Sequence, residues 1–195
     1  MSAWRTIPHF YLRLGADVTA AVGEARPTTL ICAAAVRALA RHPECNLEWE
    51  GTELVRRDRL DLGLLVDTPR GLLLPRVVNA DRLTLADLDV AIDAAVTRAR
   101  TGTLKTVDFG PRSLTVSNLG MFAVDSFAGV IAAPDVMLLS VGRFRTVPVW
   151  DGQAFEPRQV VELTLSVDHR AIDGADAGRF LTTLESLLRE PAGLA

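Results

Sequence analysis

Lysine is almost missing from this chain: Lys105 stands alone against twenty arginines. No G-x-x-x-x-G-K-[ST] phosphate loop can be written with it, and a Schiff-base mechanism would rest on Lys105 alone. Neither G-x-G-x-x-G nor a G-x-S-x-G nucleophile elbow occurs, which counts against a dinucleotide enzyme and an α/β-hydrolase. Cys32 and Cys45 show neither metal-ligand spacing nor a disulfide framework, and no metal is expected. Cys32 reads as core in an apolar helical run, Cys45 as an ordinary loop thiol. A formal net charge of −3 gives no basis for a nucleic-acid or anionic-membrane partner. The longest bland stretch, Leu30 to Ala40, is broken by Arg37 and is too short to span a bilayer. No charged-then-apolar leader opens the chain, so a cytoplasmic location is expected.

What is present is core-forming material. With 195 residues, 49% hydrophobic, and no linker or repeat, residues 1–195 read as a single domain. A first strand is expected over Phe10–Ala16, then a short helix from Asp17 to Gly23. A longer helix capped by Thr29 should run to His42 and stop at Pro43. Leu60–Val66 and Leu72–Val78 read as neighbouring, well-buried strands around the turn Asp67–Gly71. Thr84 with Asp87 resembles a capping box for a helix ending at Gly102. Strands follow where Leu114 and Val116 alternate with Ser113, Thr115 and Ser117, ending at Asn118-Leu-Gly120, and at Val136–Val141, with a hairpin turn at Trp150-Asp-Gly152. This irregular interleaving predicts an α/β two-layer sandwich on a mixed sheet.

The most informative stretch is Leu163 to Gly174. Val161, Leu163, Leu165 and Val167 alternate with Glu162, Thr164, Ser166 and Asp168, a period of two. His169 is next on the apolar side, which predicts an imidazole at the inner end of a half-buried strand, where water is scarce. Asp173 follows four residues later, and Gly174 opens the helical run Phe180, Leu181, Leu184, Leu187, Leu188. Spacing alone leaves three readings open: a satisfied structural histidine, a metal pair, or a catalytic site at a strand-to-helix corner. His9 and His42 can join such a site only through the fold.

Asp168-His-Arg-Ala-Ile-Asp-Gly174 resembles the D-H-R-x-x-D-G motif of the dihydrolipoamide acyltransferases, the core components of 2-oxo acid dehydrogenase complexes. Chloramphenicol acetyltransferase belongs to the same superfamily. Ile7-Pro-His-Phe10, Thr68-Pro-Arg-Gly-Leu-Leu-Leu-Pro75, the segment Val116 to Phe127 and Val149-Trp-Asp-Gly152 are similar to further family segments, in family order.

The resemblance implies the CoA-dependent acyltransferase fold and direct acyl transfer, with acetyl-CoA or a similar acyl-CoA as donor substrate and no covalent acyl-enzyme. It implies three site residues: His169 as general base, Ser117 as oxyanion donor, and Asp173 ordering the site through an arginine, for which Arg5 is the upstream candidate. It also implies an obligate homotrimer in which histidine and serine come from different protomers. The departures concern what surrounds that core. With the sequence starting close to Ile7, neither a lipoyl nor a peripheral-subunit-binding domain and no covalent lipoyl group is expected, and Ala132 stands where the family often has an acceptor-facing asparagine.

The reading ranked first is therefore a stand-alone O-acetyltransferase acting on a small-molecule hydroxyl, similar to the acetyltransferases of tetronate antibiotic biosynthesis. A true dihydrolipoamide acyltransferase core ranks second, and an inactive structural relative third. No coenzyme A contact is identified. Arg56 and Arg57 read as solvated surface charges.

Overall fold

A computed structural model describes residues 3–194. One helical turn, α1 (Ala3–Thr6), precedes strand β1 (His9–Asp17), helix α2 (Pro27–Arg41) and a hairpin of β2 (Leu47–Glu50) and β3 (Glu53–Arg56). Short strands β4 (Leu62–Leu64), β5 (Val66–Thr68), β6 (Gly71–Leu73) and β7 (Arg76–Val77) lead into helix α3 (Leu85–Thr101). Strand β8 (Leu114–Asn118), the long strands β9 (Met137–Trp150) and β10 (Phe155–Asp168), and helix α4 (Gly174–Arg189) complete the order.

The main sheet has six strands in the order β1-β10-β9-β8-β4-β7. It is mixed: β8 runs parallel to both β4 and β9, and the remaining pairs are antiparallel. Helices pack on one face over Val116, Leu139, Val141, Leu163, Leu165 and Val167, so the expected α/β sandwich is what forms. Residues 119–135 cover the other face. There Ser140 Oγ accepts from Gly129 N, Ser166 Oγ donates to Gly129 O, and Thr115 Oγ1 donates to Asp135 Oδ2. Strand β10 is thus buried on both faces from Leu163 to Asp168 rather than half-buried.

Helix α4 shows how the sequence builds these parts. Asp173 caps it by accepting from the Ala175 and Asp176 N–H groups, and Ala177, Phe180, Leu181, Leu184, Leu187 and Leu188 form one buried stripe. Phe180 is fully buried. Replacing it with alanine is expected to cost about 3–5 kcal/mol, because the cavity can close only partly. Urea unfolding of Phe180→Ala checks this value.

Helix α3 follows its predicted caps. Thr84 Oγ1 accepts from Asp87 N, and Gly102 ends the helix at φ 72°. Several expectations fail. No helix forms between Asp17 and Gly23, because Asp17 is consumed by β1 and its carboxylate accepts from Thr19 N to start a turn. Helix α2 begins at Pro27, and Thr29 is buried inside it, its hydroxyl donating to Asp89 rather than capping. The apolar run Leu60–Val66 splits at Leu65, whose N–H donates to Val116 O: Leu62–Leu64 joins the main sheet while Val66–Thr68 pairs with Gly71–Leu73 as a separate hairpin. Leu72 is 64% exposed, so the second of those strands is not well buried. The β2–β3 hairpin was not foreseen. Arg57 is not a solvated charge either; it is paired with Glu48 and Asp61 in the interior.

Candidate active site

Ser117 sits near the C-terminal end of β8 and is 4% exposed. It lines a cleft of about 350 Å³ with Thr28, Val66, Asn118, Met121 and Phe122 among its walls. The next residue fastens this corner: Asn118 Oδ1 accepts from Gly120 N at 2.8 Å, and Asn118 Nδ2 donates to Thr28 Oγ1 at 2.9 Å. Ser117 therefore stands on rigid backbone between a central strand and the start of α2. Among the described residues none takes up its hydroxyl, which leaves it free to donate to a ligand in the cleft. The loop Leu119–Phe122 forms the cleft's outer wall. It passes close over β9 at Gly120, where a Cβ would lie 2.9 Å from Gly142 O.

His169 follows the end of β10 in a tight turn and is exposed, not sheltered. The alternation stops one residue early because the chain turns at Asp168, whose carbonyl accepts from Ala171 N and Ile172 N. The His169 N–H donates to Pro8 O at 3.0 Å, and the Phe10 ring lies 4.5 Å from the imidazole. Asp168, fully buried, is the group that the interior encloses. Its Oδ1 accepts from Arg170 N and Nε, and its Oδ2 from an Arg170 terminal nitrogen and from Trp49 Nε1.

Burial pushes the Asp168 carboxyl up, and the Arg170 fork, the Arg170 N–H and Trp49 outweigh it, holding the group below the usual carboxylate range. With the folded value below the unfolded one, its contribution to stability is complete above about pH 4 and is lost as pH falls through the folded value. Unfolding free energy measured against pH should fall less steeply below about pH 4 in Asp168→Asn than in the parent chain.

Asp173 starts α4. The N–H of Asp176, then that of Ala175, keep its carboxyl below the usual range. Among the described residues no arginine forms a salt bridge with it, so Arg5 does not play the expected partner within one chain. The structure brings His169 and Asp173 to one corner, and it places Ser117 elsewhere. Ser117 is in register with Ser140 of β9, and Ser140 with Thr164 of β10. His169 lies five residues beyond Thr164 and two strands across, which amounts to about 20 Å at 3.4 Å per residue and 4.8 Å per strand. Since β8 and β10 run in opposite directions, the two residues occupy opposite ends of the sheet. Within one chain Ser117 and His169 do not meet.

The other histidines have local work. His9 Nδ1 lies 2.8 Å from Ile7 O and its Nε2 accepts from Ile131 N, so the neutral Nδ1–H form ties the covering loop to the start of β1. His42 meets Glu44 and Thr183. Cys45 is fully buried rather than a loop thiol, and burial pushes both cysteines up to about 12, away from thiolate chemistry. Among the described residues no three His, Cys, Asp or Glu side chains converge as a metal site, and no helix is long and apolar enough to cross a membrane. Trp49 and Asp168 escaped the sequence reading as site residues. The one available signal was Asp168 itself, a carboxylate inside a strand that ends in the motif.

A mixed sheet under one helical layer, with a histidine turn after the penultimate element and a serine at the end of a central strand, defines the class of CoA-dependent acyltransferase folds. Chloramphenicol acetyltransferase shares the fold alone, at TM-score 0.65 and 15% identity over 95% of this chain and 91% of that one. Within the class, the chain belongs to the 2-oxoacid dehydrogenases acyltransferase (catalytic domain) family, whose model matches residues 1–195. The dihydrolipoyllysine-residue acetyltransferase component of the pyruvate dehydrogenase complex of Haemophilus influenzae is 33% identical over 91% of this chain and 30% of its own length. The succinyltransferase component of the Bacillus subtilis 2-oxoglutarate dehydrogenase complex is 35% identical over 83% of this chain and 39% of its own. The chain thus spans about a third of the length of the curated relatives it matches. The solved dihydrolipoamide acetyltransferase of Azotobacter vinelandii superposes at TM-score 0.90, with 33% identity over 98% of this chain and 86% of that one. A serine, a histidine and an asparagine were investigated there for their roles in its catalytic mechanism.

Proposed function

We propose that this chain is the catalytic domain of a dihydrolipoamide acyltransferase, moving an acyl group between coenzyme A and a dihydrolipoyl thiol. One observation carries the reading. Ser117 precedes His169 by 52 positions and Asp173 follows it by four, the spacing of the serine, histidine and asparagine investigated in the Azotobacter protein. The relatives act, by their names, on dihydrolipoyllysine residues, and this favours a lipoyl thiol over the small-molecule hydroxyl, or tetronate intermediate, ranked first from the sequence.

In this reading His169 Nε2 takes the proton of the incoming thiol, and the thiolate attacks the thioester carbonyl. The oxyanion of the tetrahedral intermediate accepts a hydrogen bond from Ser117 Oγ. Collapse expels the second thiolate, which receives the proton from the imidazolium, so no acyl-enzyme forms and no proton is left over. Asp173 holds the start of α4 and with it the turn that carries His169. The 20 Å between Ser117 and His169 supports a site shared between protomers of a homotrimer, each interface joining the serine of one copy to the histidine of the next. The unpaired Cys32 and Cys45 support a reducing compartment such as the cytoplasm.

The test is acyl transfer from acetyl-CoA, followed by thiol release, with dihydrolipoamide and a panel of small hydroxyl compounds as acceptors. Turnover with dihydrolipoamide is the expected result. Turnover only with a hydroxyl acceptor would return the chain to the stand-alone O-acetyltransferase reading.

A further inference from the structure

We infer that Trp49, on the separate β2–β3 hairpin, is a positioning residue for His169 and acts through Asp168 and Arg170. The inference rests on the reading of His169 as the base. It starts from the way the His169 backbone is held. Asp168 Oδ1 accepts from Arg170 N at 3.0 Å, closing an Asx turn with His169 as its middle residue. The same carboxylate takes a two-point fork from the Arg170 guanidinium, Nε at 2.9 Å and a terminal nitrogen at 2.6 Å. The ring of constraints around the histidine is therefore only as rigid as the carboxylate at its hub.

Trp49 fixes that hub from outside. Its Nε1 donates to Asp168 Oδ2 at 3.0 Å, and the Arg170 guanidinium lies 4.9 Å from the centre of its ring. The indole thus touches both residues that flank His169 without touching the imidazole. Trp49 is anchored in turn by its backbone N–H, which donates to Pro134 O at 3.2 Å, and by pairing with Leu54 across the hairpin. Asp168 is fully buried, whereas the Arg170 side chain is 46% exposed. An arginine that open to water does not by itself hold one orientation, and the indole beneath it supplies the missing constraint. A base displaced by even 1 Å loses on the order of tenfold to a hundredfold in rate.

The decisive variant is Trp49→Phe, which keeps most of the ring and removes the N–H. Acyl transfer between acetyl-CoA and dihydrolipoamide is measured in the parent chain, Trp49→Phe, His169→Ala and the double variant. The expected result for Trp49→Phe is a fall in kcat of about tenfold with KM for both substrates unchanged and the assembly state unaltered by light scattering. In the His169→Ala background the same change should have no further effect, since its action passes through the imidazole. Arg170→Gln, a change at a half-exposed position, should reproduce the loss of kcat if the tryptophan variant does not fold.

An unchanged kcat in Trp49→Phe, or equal losses with and without His169, would overturn the inference while leaving the function standing. Full activity in His169→Ala would instead overturn the function on which it rests.

Discussion

His169→Ala is expected to lower acyl transfer by about 10²–10⁴-fold, the usual contribution of a positioned base. The fold should be untouched, because the imidazole is exposed and its one ring neighbour among the described residues is Phe10. What the turn needs is the His169 backbone N–H to Pro8 O, which alanine keeps. The more telling experiment uses two dead variants together. Ser117 and His169 lie about 20 Å apart at opposite ends of one sheet, so in the proposed mechanism a working site takes each from a different copy. When Ser117→Ala and His169→Ala chains are co-expressed and assembled together, some interfaces pair an intact serine with an intact histidine. Mixed assemblies should regain a substantial part of the parent turnover, although neither variant has it alone. Activity no greater than the sum of the two separate variants would rule out the shared site.

Ser117→Ala is expected to reduce kcat by about 10²–10³-fold, with KM for coenzyme A close to that of the parent, since in the proposed mechanism the hydroxyl meets the oxyanion and not the ground-state thioester. The residue is nearly buried, yet its hydroxyl has no partner among the described residues, so removing it leaves no donor or acceptor stranded. Thermal unfolding should therefore move little. Parallel losses in kcat and in thermal stability would make Ser117 a packing residue and place the oxyanion donor elsewhere. Ser117→Thr, which retains a hydroxyl, is the informative companion. Partial activity there would tie the effect to the donor rather than to side-chain volume.

Much of this was legible in the residues. The capping pair Thr84 and Asp87, the stop at Gly102, and the apolar stripe from Phe180 to Leu188 each set a helix through contacts within a few positions. The strand ending in the Asp168–Gly174 motif was visible from its alternation. Its second buried face was not, because Thr164 and Ser166 look solvent-facing until residues 119–135 fold over them. The interior role of Arg57 was hidden for a related reason. A charge next to Arg56 reads as surface, and only the approach of Glu48 and Asp61 makes burial tolerable.

The sequence by itself determined the α/β class, most element positions and the identity of Ser117, His169 and Asp173 as the residues to watch. Local spacing decides which face a side chain takes and where a helix starts, and those are short-range matters of sterics and hydrogen bonding. Only the tertiary structure decided that β8 and β10 lie two strands apart with opposite directions, that His169 is exposed, and that Trp49 closes on Asp168 across 119 positions of chain. Strand order and direction arise from long-range burial and backbone pairing, which no run of neighbouring residues encodes. That is why the candidate residues could be read from the chain, while the separation of Ser117 and His169 within one copy is set by the order and direction of the strands.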